Sequence, residues 1–312
     1  MIALLVSDDR LFPAGTLREL AALGPVQRHL AGARVCLTGW DTPPLTDAEL
    51  DTAPDLRLIA HTGGSVRALV PESAYDRGIR ITHASAVLAE AVAEFTVMQI
   101  LCGLRDAVGV AGRMRAGDGW ESMRVPGRLL RDQTVGIIGA SRVGRATLTR
   151  LLPFGCALLL SDPLVRPDEA VALGARLVEL PELLDESTVV SLHAPLLPAT
   201  RGMLGAAELA RLRQGAILVN TARAGLTDET ALLAAVRAGR ITVLLDVFHH
   251  EPLPADSPWR TTQAVVATPH IAALTAETLW EQGSAMVAEI RRYLTGEPLR
   301  HEIPRSTYHT IA

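Results

Sequence analysis

Three side chains in the second half of the chain, Arg223, Glu251 and His270, are of types that can act as a set. A planar guanidinium grips a carboxylate with two parallel hydrogen bonds and polarises a neighbouring carbonyl. An imidazole gives or takes a proton near neutral pH, and a carboxylate beside it orients the ring and favours its protonated form. Together the three suit interconversion of a 2-keto acid and a 2-hydroxy acid. Each alone has a plainer reading: a surface charge at a strand end, a Glu-Pro turn, and a histidine that satisfies loop carbonyls. His249 and His250 precede Glu251, but adjacent side chains point apart and no third ligand has suitable spacing, so no metal site is expected.

These residues need elements to hold them. Arg223 follows the apolar run 216–220, Asp246 and Glu251 follow 241–245, and His270 follows 264–267. A further run, 188–192, ends in His193-Ala194-Pro195. Strand signals alternating with helical ones imply a doubly wound, mostly parallel α/β sheet. In such a sheet, functional groups gather beyond the carboxyl ends of the strands.

The same logic identifies a cofactor element at 134–162, TVGIIGASRVGRATLTRLLPFGCALLLSD, which reads as strand, glycine turn, helix near 145–152 and second strand. A helix that opens straight after a glycine turn aims its backbone N–H groups and positive dipole end at an anion, here a dinucleotide pyrophosphate. Contacts are expected from Gly139, Ser141, Arg142, Val143 and Gly144. Asp162, eighteen positions after Gly144, is placed to accept from ribose hydroxyls. Its charge favours NAD over NADP, with Arg166 nearby as a counter-signal. Ser141 stands where the fingerprint has its middle glycine; its Cβ intrudes on the pyrophosphate and its hydroxyl offers a compensating donor.

Composition narrows the classes. The 312 residues suffice for two domains, and 48% hydrophobic with 21% charged residues is ordinary globular material. A net charge of −4 gives no nucleic-acid footprint. All 30 basic residues are arginine, which excludes Schiff-base chemistry and lysine-dependent phosphate loops. Cys36, Cys102 and Cys156 are widely spaced in apolar surroundings and read as core residues of a reducing, cytoplasmic compartment. No export signal or apolar run of eighteen residues is present, so no membrane partner is expected.

The first 87 residues read as a small α/β unit, with strands near 2–6, 34–37, 56–60 and 79–82 and helices near 14–23, 45–52 and 71–77. His61-Thr62-Gly63-Gly64-Ser65-Val66 follows the third strand and has the composition of an anion nest, or of an ordinary turn. One long helix is expected over 87–115, with Glu90 and Glu94 on a solvated face, and a last helix over 275–294.

Six segments in order, AEAVAEFTVMQIL (89–101), VGIIGASRVGRATL (135–148), SLHAPLLPATRGML (191–204), VNTARAGLTDETAL (219–232), LDVFHHEPLP (245–254) and TPHIAALT (268–275), resemble the NAD-dependent D-isomer-specific 2-hydroxyacid dehydrogenases. The resemblance implies a Rossmann cofactor domain (88–274) inserted into a smaller flavodoxin-like substrate domain (1–87 plus 275–312), a cleft between them, and a homodimer built largely from the cofactor domain. It implies that Arg223 binds substrate, that His270 exchanges the proton and that Glu251 is its paired acid. Gly63, Gly64, Ser65 and Val66 would bind the carboxylate of a small anionic substrate, glyoxylate-, hydroxypyruvate- or 3-phosphoglycerate-like. Asp246 would lie near the nicotinamide carboxamide, with His193, Pro195, Thr200, Thr221 and Ala222 completing the cofactor site. Ser141, Ala224, Ala273 and Leu88 depart from the family pattern and add bulk that bears on substrate choice. Two alternatives remain open at this point: an NADH-sensing protein resembling the corepressors of this fold, and phosphite oxidation by a similar triad.

Overall fold

The computed structural model describes residues 1–310, so 311 and 312, the end of the expected 275–312 segment, lie outside the described residues. Contacts divide the chain into two units, Met1–Ala91 with Leu274–Ala312, and Val92–Ala273.

In the first unit, β1 (Ile2–Leu4), α1 (Ala14–Ala22), β2 (Val26–Gln27), β3 (Val35–Thr38), α2 (Asp47–Asp51), β4 (Leu58–His61), α3 (Ser73–Asp76) and β5 (Arg80–His83) build a five-stranded parallel sheet, ordered β2-β1-β3-β4-β5. That is the flavodoxin-like order. β3 and β4 are buried along their whole length, as expected of parallel strands covered on both faces. The last helix of the chain closes one face by packing Met286, Val287 and Ile290 against Leu4, Leu37 and Leu58. The tail then pairs antiparallel with β5, where Ile303 N–H donates to Ile81 O at 2.8 Å.

α4 (Ser85–Arg105) and α5 (Ala107–Ala116) replace the single expected helix. The break falls at Asp106, whose φ of +48° is left-handed, a conformation aspartate tolerates better than most residues. A single left-handed residue between two helix-forming stretches carries no periodicity signal of its own. By length and composition α4 is apolar enough to cross a membrane. Here Val97, Ile100 and Leu104 are instead buried in a protein core. Glu90 and Glu94 are exposed.

The second unit continues with β6 (Thr134–Ile138), α6 (Arg142–Leu151), β7 (Ala157–Ser161), α7 (Pro167–Ala172), β8 (Arg176–Leu177), α8 (Leu180–Glu186), β9 (Val189–Leu192), α9 (Ala206–Arg211), β10 (Ala216–Asn220), α10 (Glu229–Arg237), β11 (Ile241–Leu245) and β12 (Val265–Ala267). Its seven strands are parallel in the order β12-β11-β10-β9-β6-β7-β8, the doubly wound Rossmann arrangement with one added edge strand. α6 starts three residues before its expected position because Ser141 caps it, and β12 starts one residue later because Ala264 has a φ of +59°. α11 (Ala276–Thr295) returns the chain to the first unit, its N-terminus capped by Thr275.

Candidate active site

The strand order reverses between β6 and β9, and the crevice beyond their carboxyl ends is where such sheets bind ligands. Gly139 leaves β6 with a φ of +96°, and a Cβ there would lie 2.5 Å from the backbone nitrogen of Ala194, just past β9. Only glycine fits both restraints. Ser141 has a φ of −60°, which any residue adopts, and its Oγ accepts from Gly144 N–H at 3.3 Å. The serine therefore serves as the N-cap of α6, so the amides of the first turn, Arg142 and Val143 included, stand at a capped helix N-terminus.

Asp162 accepts from Ala140 N–H at 2.7 Å and Leu164 N–H at 2.8 Å, one at each oxygen. Each oxygen keeps a second lone pair for a ribose hydroxyl. Arg166 is turned to Asp168, 3.2 Å away. His193 is buried, with Nε2 2.9 Å from Ser191 Oγ and Nδ1 without a partner. Burial pushes its pKa down to about 3, so the ring is neutral and packs behind the glycine turn. Thr200 Oγ1 donates to Pro195 O at 2.5 Å and closes the turn after β9, while Thr221 Oγ1 meets Thr96 Oγ1 at 2.9 Å. A positive-φ glycine, a capped helix N-terminus and an acceptor at the next strand end fit a bound dinucleotide.

The candidate catalytic side chains follow three adjacent strands. Arg223 follows β10, Asp246 and Glu251 follow β11, and His270 follows β12. Glu251 Oε2 accepts from His270 Nδ1 at 2.7 Å, and Glu251 Oε1 accepts from Phe248 N–H at 2.8 Å. The carboxylate is thus tethered on one side while it orients the imidazole, which leaves His270 Nε2 as the nitrogen for proton exchange.

Two side chains that residue type alone does not single out hold the turns. Asn220, 1% exposed, accepts from Ala222 N–H at 3.1 Å and donates to Arg223 O at 3.0 Å. The Arg223 guanidinium donates to Ala222 O at 2.7 Å. Asp246 is fully buried and brackets the histidine: its oxygens accept from Thr268 Oγ1 at 2.6 Å, Ile271 N–H at 3.0 Å and Ala272 N–H at 2.8 Å. His270 itself has a φ of +54°, unfavourable for a side chain with a Cβ, and this cage maintains it. The resemblance sets Asp246 beside the nicotinamide; its contacts here are with the turn that carries His270. The signal for both residues is a polar side chain at the end of a mostly apolar, mostly buried strand, AILVN and ITVLLD.

In the first unit, His61 and His83 are register partners at the ends of β4 and β5. His61 Nδ1 lies 3.1 Å from Thr38 Oγ1, and burial together with His83 lowers its pKa to about 4. The side chain of Val66 is buried, whereas a Cβ on Gly64 would approach Leu88 Cδ1 to 3.1 Å.

Comparison with known proteins follows the same outline. The family profile described as "D-isomer specific 2-hydroxyacid dehydrogenase, NAD binding domain" matches residues 97–272. D-3-phosphoglycerate dehydrogenase of Methanocaldococcus jannaschii is 34% identical over 250 residues, 80% of this chain and 47% of that protein. Glyoxylate reductase of Korarchaeum cryptofilum is 34% identical over 260 residues, 82% of this chain and 78% of that protein. The match spans about half the length of the phosphoglycerate dehydrogenase. The crystal structure of a glyoxylate reductase from Paecilomyes thermophila superposes with a TM-score of 0.85 at 26% identity, covering 98% of this chain and 99% of that one.

Proposed function

We propose a function that starts from membership: this chain belongs to the D-isomer-specific 2-hydroxyacid dehydrogenase family, and its reaction is the NAD-dependent interconversion of a small 2-keto acid and the D-2-hydroxy acid. The observation that carries the reading is the Glu251–His270 pair, at the carboxyl edge of the sheet whose β6–α6 turn is shaped for a dinucleotide.

Bound NADH supplies the hydride. His270 Nε2 gives a proton to the substrate oxygen as it gains electron density, and Glu251 stabilises the imidazolium before that transfer. Arg223 holds the carboxylate and offsets charge on the developing alkoxide. The loop 63–66 is proposed to bind the substrate carboxylate through its backbone amides.

The test is a screen of glyoxylate, hydroxypyruvate, pyruvate, bulkier 2-keto acids and, in the oxidative direction, 3-phosphoglycerate, each with both nicotinamide cofactors. Turnover is expected with at least one acid. NADH is expected to surpass NADPH by about ten-fold or more, because the Asp162 carboxylate repels a 2′-phosphate. Tight NADH binding with no turnover on any acid would replace this reading with that of a cofactor-sensing protein.

A homodimer is proposed as the working form. Val108, Met114, Trp120, Val125 and Leu129, on α5 and the segment after it, are exposed apolar residues of the kind that mark association surfaces. Sedimentation is expected to give twice the 33.3 kDa chain mass, and a single-chain mass at micromolar concentration would discard the dimer. A cytoplasmic setting is proposed from the three free cysteines.

A further inference from the structure

The loop after β4 is held by its carbonyls. Gly63 O accepts from Ala84 N–H at 3.0 Å, and Gly64 O lies 2.8 Å from His83 Nδ1. A carbonyl cannot donate, so Nδ1 carries the proton. His83 Nε2 in turn lies 2.9 Å from Ser85 Oγ, which in the neutral ring donates to it and fixes that tautomer.

In a planar trans peptide, C=O and the next N–H point in opposite directions. Drawing the Gly63 and Gly64 carbonyls toward the junction of β5 and α4 therefore turns the Gly64 and Ser65 N–H groups away from it. Neither amide has a protein acceptor among the described residues. Two successive amides turned to the same side can donate to one anion. The loop is fixed at its far end too, where Val66 O accepts from Leu69 and Val70 N–H at 2.9 and 2.8 Å.

Of the two anchors, Ala84 N–H is backbone that no ordinary substitution removes. His83, 5% exposed, is the side chain that sets the orientation of the Gly64–Ser65 peptide. We propose that His83 is a positioning residue for substrate carboxylate binding: its Nδ1–H holds the Gly64 carbonyl inward so that Ser65 N–H faces the anion. Without that bond the peptide can turn over, because Gly64 has no Cβ to oppose it, and the outward carbonyl then repels a carboxylate. The inference rests on the reading that loop 63–66 takes the substrate carboxylate.

The experiment compares wild type, His83→Asn and His83→Gln. Asparagine can place an N–H where Nδ1 stands, whereas glutamine carries its amide to the Nε2 end. Each protein, saturated with NADH, is titrated with oxalate by calorimetry, and KM and kcat are measured with the best acid of the panel. Expected for His83→Gln are oxalate binding about ten-fold weaker and KM about ten-fold higher, with kcat within about three-fold and NADH affinity unchanged. His83→Asn stays within about three-fold of wild type throughout. Wild-type oxalate affinity in His83→Gln, equal weakening in both variants, or no oxalate binding by wild type overturns the proposal. His83-dependent oxalate binding by a protein that reduces no 2-keto acid supports it while discarding the assigned reaction.

Discussion

Replacement of His270 by alanine is expected to lower kcat for 2-keto acid reduction by about 10²–10⁴-fold while the dissociation constant for NADH stays within a few-fold of wild type. The size of the loss follows from the role proposed for the imidazole. Hydride arrival at the carbonyl carbon leaves an alkoxide, and without a positioned acid that charge must be neutralised by water. The selectivity follows from architecture: His270 stands after β12, at the sheet edge, whereas the dinucleotide turn lies between β6 and β9 near the centre. Single-turnover kinetics with the best acid, together with a fluorescence titration of NADH, read the two quantities separately. Undiminished turnover in the alanine variant would remove His270 from proton transfer.

A second large effect is expected from Asp246→Asn, a change of almost no volume. Asp246 accepts three hydrogen bonds in a fully buried position, two from backbone amides on the chain just after His270 and one from the Thr268 hydroxyl just before it. An amide NH₂ in place of one oxygen sets a donor against a donor. Either a buried N–H loses its partner or the turn shifts, at a cost of about 1–3 kcal/mol. Thermal unfolding of the variant is expected several degrees below wild type, since about 1 kcal/mol lowers the midpoint by about 2–4 °C at this domain size. Because the same bonds hold His270 at positive φ, kcat is expected to fall by about ten-fold or more, with a smaller change in NADH affinity. A melting curve and kcat both equal to wild type would show that the cage does not position the histidine.

His270 and Asp246 illustrate how far residue type leads. An imidazole after proline at a strand end, a carboxylate 19 positions earlier and an arginine 28 positions before that suggest their chemistry from the sequence, and six ordered segments carry the family resemblance. That Glu251 reaches His270 Nδ1 while Phe248 N–H tethers it depends on the order of β10, β11 and β12, which strand periodicity does not encode. The Asp246 cage was likewise invisible, since its partners are backbone amides 25 and 26 residues away. The break at Asp106 was hidden because left-handed φ at one residue carries no periodicity signal.

What the sequence determined by itself was the alternation of buried strands with helices, the βαβ unit at 134–162 and the residue types able to perform the chemistry, because periodicity and side-chain functionality are local properties. Tertiary structure alone decided the two strand orders, the Ser141 cap in place of a glycine, the use of Asp246 to brace a turn and the grip of His83 on Gly64 O. Each of these is set by which backbone groups folding brings within about 3 Å of a given side chain, and hydrogen bonds are short enough that proximity along the chain does not foretell them.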